Sequence, residues 1–179
     1  VKIFENNDLT VETIILNHRI PCTGYKFKQK KRLRKLIIDK LEEDNIPHEY
    51  FPLLKRGIDL NLPDGRVFLN QDYTLDSDAP KSYCYCSDTL ADGSYKEQIK
   101  GCTMLYHEST FLQEMLDRAN QTHHTTALQA GQIAAEAGVE KLLIGHFSSR
   151  YKVLQPLLEE ALSVFEHTEL AIEGNTYTI

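Results

Sequence analysis

At 179 residues the chain is long enough for one domain with its own core, and 41% hydrophobic against 26% charged residues excludes disordered and fibrous classes. No apolar run approaches the roughly 20 residues that span a bilayer, and the first residues lack the basic and apolar segments of a secretory leader. A formal net charge of −6 does not by itself point to a nucleic-acid partner, and four cysteines without a CxxC pair (Cys22, Cys84, Cys86, Cys102) fit a reducing, cytoplasmic setting.

Strands are predicted over 1–4 and 9–16, the second alternating Val11, Thr13 and Ile15 with Glu12, Ile14 and Leu16. A turn over 19–24 leads into a short strand over 25–28. Leu33, Leu36, Ile37 and Leu41 at helical spacing predict a helix over 31–43. Pro47, Pro52, Gly57 and Pro63-Asp64-Gly65 then break the chain into turns, and 61–81 is polar and irregular, an excursion from the core. Strands follow over 82–86 and 102–106, then a helix over 111–120 and an Ala-rich helix over 125–137 stopped by Gly138. A strand over 139–144, a helix over 156–165 and a hairpin of 170–172 with 176–179 around Gly174-Asn175 complete the pattern. Repeated strand–loop–helix units predict an α/β layered domain.

Chemistry-bearing residues gather where predicted strands end, the edge at which α/β folds bind ligands. His18, Asp88 and His146 each follow an apolar strand, and an imidazole–carboxylate–imidazole set suits zinc. Taken singly, each is an ordinary loop or cap residue. His107-Glu108-Ser109-Thr110 reads first as a cap, with Ser109 or Thr110 starting the next helix; the alternative makes Glu108 a proton-handling partner of an imidazole. His123-His124 opens the Ala-rich helix, which Thr125 or Thr126 can cap; it reads first as a surface histidine pair near that cap, and the alternative is a histidine whose pKa the positive dipole end lowers. Cys84 and Cys86 share one strand face and read as small buried side chains, and Arg150 either binds an anion or pairs with an acid. Residues 26–35 hold seven cations, among them Lys28, Lys30, Lys31, Arg32, Arg34 and Lys35, in a chain that is acidic overall; this is either a polyanion footprint or a solvated face.

Five segments in this order, Leu16-Asn-His-Arg-Ile-Pro-Cys-Thr-Gly-Tyr25, Tyr85-Cys-Ser-Asp-Thr89, Leu105-Tyr-His-Glu-Ser-Thr-Phe111, His124-Thr-Thr-Ala-Leu-Gln-Ala130 and His146-Phe-Ser-Ser-Arg-Tyr151, resemble the ribonuclease Z family of transfer-RNA 3′-processing endonucleases, in the metallo-β-lactamase superfamily. The resemblance runs from about Leu9 to the last residue. It implies an α/β fold, the αββα sandwich in approximately its C-terminal half, with residues 28–70 inserted as a flexible arm that grips transfer RNA through the cations named above. It implies two zinc ions, with His18 on one, His146 on the other and Asp88 bridging them, and it gives proton handling to His124 and Glu108. The implied reaction is hydrolysis of the phosphodiester 3′ of the discriminator nucleotide in precursor transfer RNA, by a cytoplasmic homodimer with no membrane segment. The family's His-x-His-x-Asp-His motif is absent from these 179 residues and is expected upstream of Val1. Pro47-His48-Glu49-Tyr50 stands where the arm usually has Gly-Pro, Ser87 where a glycine precedes the bridging aspartate, and Leu90 where a basic residue is common. The alternatives are a zinc phosphodiesterase acting on small diesters, and a catalytically incompetent RNA-binding or dimerisation piece.

Overall fold

Alternation of small or branched apolar residues with polar or aromatic ones builds a single seven-stranded sheet, seen in a computed structural model that describes residues 1–179. Its strands follow chain order: β1 (Lys2–Glu5), β2 (Leu9–Leu16), β3 (Cys22–Gln29), β4 (Ser82–Cys86), β5 (Met104–Glu108), β6 (Lys141–Gly145) and β7 (Thr168–Leu170). Neighbours are antiparallel from β1 through β4 and parallel from β4 through β7. Because β3 runs antiparallel to both β2 and β4, strands β2, β4, β5 and β6 all point the same way. Their carboxyl ends therefore share one edge.

One sheet face carries Ile14 and Leu16, Cys84 and Cys86, Leu105, Leu142 and Ile144, all buried. Against it pack the helices α1 (Lys96–Ile99), α3 (Ala127–Ala137) and α4 (Gln155–Leu162); α2 (Leu116–Thr122) precedes α3. Ala127, Ala130, Ala134 and Ala137 put small side chains on the buried stripe of α3, which lets that helix lie close to the strands. Thr126 and Gln129 form a capping box at its start, and Gly138 ends it in the left-handed conformation at φ 62°. Both ends follow directly from local sequence. On the opposite face Tyr25 pairs with Tyr85 and Phe27 with Tyr83. Tyr25, Phe27 and Tyr85 remain more than a third exposed there.

Residues Lys30–Pro80 form a separate compact unit. Its core is Leu41, Ile46, Leu54, Leu60, Leu62 and Phe68. The predicted helix over 31–43 is corrected here. Lys35–Leu36 is extended and pairs with Thr74–Leu75, and only Ile38–Glu43 is helical. Backbone bonds from Arg34 N–H to Lys55 O (2.9 Å) and from Ile37 N–H to Tyr73 O (2.9 Å) hold the extended course, so tertiary pairing overrides the apparent apolar period. Leu33 is exposed and belongs to no buried helix face. The stretch 61–81 is not irregular throughout, since it holds the short strands Val67–Phe68 and Thr74–Leu75 and the helix Asn70–Tyr73.

Two further elements differ from expectation. The closing hairpin is absent: β7 pairs parallel with β6, and 176–179 forms no strand. Tyr177 instead closes the end through its hydroxyl, which donates to Leu170 O (2.7 Å) and accepts from Ile172 N–H (2.8 Å). Neither Ser109 nor Thr110 caps a helix. The helical segment begins with a 3-10 turn at Gln113–Met115 and continues as α2, and neither start has a side-chain cap.

Candidate active site

The shared carboxyl edge brings four sequence-distant loops together. After β2 comes His18, after β4 Asp88, at the end of β5 Glu108, and after β6 His146. His123-His124 joins α2 to α3 at the same edge, held there by a bridge between Phe111 and Thr126 and by Ala127 N–H donating to Phe111 O (2.8 Å). Asp88, Glu108, His124 and His146 each place one donor atom within 4.8 Å of the others. The imidazole of His18 lies 5.0 Å, centroid to centroid, from that of His124, which stacks at 5.4 Å on His146. Asp88, His123 and His146 all adopt left-handed backbone, with φ 59°, 56° and 57°. That is unusual for non-glycine residues, and its concentration at one edge marks a place where geometry outranks backbone comfort.

Glu108 is fully buried and its carboxylate accepts from four groups. They are Thr89 N–H (2.6 Å), the Thr110 hydroxyl (2.6 Å), His124 Nδ1 (3.0 Å) and Thr125 N–H (3.1 Å). Burial pushes its pKa up, but the bonds from His124, Thr110 and Thr89 outweigh burial and hold it below the ordinary value. A carboxylate with its lone pairs engaged in this way is an anchor rather than a ligand. On His124, by contrast, the Glu108 bond is the largest influence; it raises the histidine's pKa, against a smaller lowering from burial. The expected dipole-lowered histidine is thus corrected. Helix α3 has its N-cap at Thr126, so His124 stands outside the first turn, where the dipole has faded, while the carboxylate is in contact.

The hydrogen-bond network fixes the tautomers. His18 Nδ1 is 2.8 Å from His123 O, which can only accept, so Nδ1 carries the proton and Nε2 is bare. The Thr110 hydroxyl spends its one proton on Glu108, so toward His146 Nδ1 (3.0 Å) it accepts. His146 Nε2 is then bare as well, and it lies 3.0 Å from Asp88 Oδ1. That oxygen is buried and has no hydrogen-bond donor. In the neutral tautomer these two acceptors face each other, an arrangement that a cation between or beside them relieves. With His18 Nε2 they form the donor set of a borderline-soft divalent ion, each imidazole held by its other nitrogen. The residues present fit zinc.

Several participants escaped sequence reading. Thr110 links Glu108 to His146, and Thr89 and Thr125 supply backbone donors to Glu108. Gly145 is needed because a Cβ there would meet the Tyr106 hydroxyl at 2.3 Å. The threonines next to each acidic or histidine island were the available signal. Arg150 lies over the Phe111 ring, 5.1 Å from its centroid, with Nε donating to Ser148 Oγ (3.2 Å). Of the basic run, Arg34 bonds Thr74 and Asp76, and Lys35 bonds Asp78 (2.9 Å), so these two are committed within their own unit. Lys28, Lys31 and Arg32 are exposed.

No protein-family model matches the chain. In sequence it is 45% identical over 172 residues to the ribonuclease Z of Bacteroides fragilis (strain YCH46), covering 96% of this chain and 57% of that protein. It is 47% identical over 178 residues to the ribonuclease Z of Cytophaga hutchinsonii, covering 99% of this chain and 56% of that protein. The chain thus spans a little over half the length of the curated relatives it matches. Among solved structures it is similar to the metallo-β-lactamase fold protein YhfI from Bacillus subtilis, with TM-score 0.63 at 18% identity over 98% of this chain and 52% of that one, a likeness of fold.

Proposed function

This chain is a sequence relative of ribonuclease Z with a metallo-β-lactamase fold, and from that premise we propose that it supplies the proton-transfer pair and part of the metal site of a zinc-dependent endoribonuclease, one that cuts precursor transfer RNA 3′ of the discriminator nucleotide. The observation that carries the reading is the pair of bare acceptors, Asp88 Oδ1 and His146 Nε2 at 3.0 Å, beside an imidazole that a buried carboxylate holds. Zinc, when bound, stabilises charge on the phosphate oxygens and lowers the pKa of water toward neutrality. His18, Asp88 and His146 would hold it; three protein donors fall short of a closed two-ion site, so further ligands complete the set.

The chain's own contribution to the chemistry is proton handling. His124 Nδ1 is fixed on Glu108, which turns Nε2 away from the anchor and keeps the ring protonated above its ordinary range. From Nε2 the proton passes to the 3′-oxygen as it leaves phosphorus. Glu108 stays ionised throughout and compensates the imidazolium charge.

Residues 28–70 are read as the arm that docks transfer RNA, a reading supported by the separate unit at Lys30–Pro80 and by its exposed cations. Removing Lys28, Lys31 and Arg32 together is expected to raise KM and to flatten the salt dependence, by about 0.7–0.9 in logarithmic slope per lost phosphate contact. Arg34→Ala should instead destabilise the unit, because it removes a donor from the buried Thr74 hydroxyl and the ion-pair partner of Asp76. An unchanged salt slope in the triple variant would remove the arm from docking. No helix is long and apolar enough to cross a membrane; a cytoplasmic homodimer belongs to the same proposal on the strength of the family resemblance.

The direct test is incubation of the enzyme with zinc and a precursor transfer RNA, with the cut mapped to the nucleotide. Competition by transfer RNA against a chromogenic phosphodiester separates this substrate from small diesters. Cleavage of the small diester that transfer RNA does not inhibit would replace the reading with the small-diester one.

A further inference from the structure

Beneath the carboxylate anchor lies a second polar pair that the proposed chemistry does not use. Tyr95 and His107 are both fully buried, and Tyr95 Oη is 2.6 Å from His107 Nε2. The other ring nitrogen, Nδ1, is 2.7 Å from the backbone oxygen of Glu108. A carbonyl only accepts, so His107 Nδ1 carries a proton; Nε2 is then an acceptor, and the Tyr95 hydroxyl donates to it. With a neutral ring the Glu108 carbonyl thus sets the direction of both bonds, and Thr89 is a second hydrogen-bond partner of the Tyr95 hydroxyl.

The consequence falls on the peptide between Glu108 and Ser109. Its carbonyl is gripped by His107 and its N–H donates to Gly145 O at 2.8 Å. A peptide plane held from both sides sets the Cα–Cβ direction of Glu108, and so the position of the carboxylate that receives Thr89 N–H, Thr125 N–H, Thr110 and His124. Tyr95 closes the loop that carries Asp88 and opens helix α1, where its carbonyl accepts from Gln98 N–H and Ile99 N–H. The same loop reaches the His18 segment, because Asn17 N–H donates to Thr89 Oγ1 (3.3 Å) and Leu90 N–H to Asn17 O (2.7 Å).

We propose that Tyr95 and His107 form a positioning pair whose one-way hydrogen bonds aim the Glu108 carboxylate at His124. The inference rests on the role given to Glu108 above and goes beyond it by naming what holds Glu108 in place. Volume alone does not explain the pair, since a leucine or phenylalanine would fill either site without burying two polar groups.

Three variants test it: Tyr95→Phe, His107→Asn and His107→Gln, each in the full enzyme and below its unfolding temperature. Asparagine keeps a donor where Nδ1 stands; glutamine fills the cavity better and moves its donor to the Nε2 position. Positioning therefore predicts that His107→Asn retains about tenfold more kcat than His107→Gln at similar KM, whereas simple core packing predicts the reverse order. Nuclear magnetic resonance supplies a readout free of activity. Wild-type His107 is expected as the neutral Nδ1–H tautomer. The amide protons of Thr89 and Thr125, shifted downfield by the carboxylate, are expected to keep their shifts in His107→Asn and to move upfield in His107→Gln and Tyr95→Phe. An Nε2–H tautomer in the wild type, or Thr89 and Thr125 amides unmoved in all three variants, overturns the proposal. If those amides move as expected while the wild-type enzyme leaves precursor transfer RNA uncut, the positioning pair stands and the proposed reaction falls.

Discussion

His124→Ala is expected to lower the turnover of precursor transfer RNA by about two to four orders of magnitude, the usual worth of a positioned general acid, while zinc content stays near that of the wild type. The first half follows from the ring's place: Nδ1 is committed to Glu108 at 3.0 Å and the Glu108 bond raises its pKa, which favours a proton on Nε2 beside the proposed metal ligands. The second half follows from bonds that the variant leaves intact. Glu108 retains Thr89 N–H, Thr125 N–H and Thr110, so its buried carboxylate is not abandoned. The bare nitrogens of His18 and His146 depend on His123 O and Thr110, not on His124. Metal analysis beside single-turnover kinetics decides the matter. Loss of zinc would make His124 a ligand, a role its place within 4.8 Å of Asp88 and His146 makes geometrically open. Normal turnover with normal zinc would mean that another group protonates the leaving oxygen.

How much of this site was legible in the sequence depends on the range of the interaction. Strand ends were: apolar runs stop at Leu16, Cys86 and Gly145, and His18, Asp88 and His146 follow them within two residues. The cap of α3, narrowed to Thr125 or Thr126, and its Gly138 stop were also legible, since each is a local matter of one turn. What failed was non-local. Residues 34–37 look helical by period, yet the Arg34 and Ile37 N–H groups find carbonyls at Lys55 and Tyr73, which no local window of the sequence contains. Thr110 reads as a helix cap beside its neighbours, but it is drawn into the site by Glu108 and His146, the latter 36 residues away. The sign of the shift on His124 was misjudged for the same reason. A local rule assigned it to a helix end, and a residue 16 positions distant decided it. Tertiary partners with charge outrank local propensity wherever they come within hydrogen-bond reach at a buried site.

The largest effect on stability is expected from Glu108→Gln, and it should carry a pH signature. The amide matches the carboxylate in shape but sets an NH₂ against some of the four donors that converge there, leaving buried N–H groups unpaired; the cost is about 3 kcal/mol. The folded protein holds Glu108 below its ordinary pKa of 4.5, so its contribution is present above that pH and is lost as the pH falls through the lowered folded value. His124 is held above 6.5, so its contribution is complete below that pH and is lost as the pH rises through the raised folded value. The gap between wild type and Glu108→Gln should therefore be widest between about pH 4.5 and 6.5 and narrow on both sides. It narrows more on the acid side, where the protonated wild-type carboxyl comes to resemble the amide. Denaturant unfolding of both proteins with metal removed, repeated across pH 3 to 9, measures that gap directly and cancels every group the two share. A gap that does not vary with pH would show that Glu108 and His124 do not titrate as a pair; one below about 1 kcal/mol throughout would show that the four donors are not confined to the carboxylate.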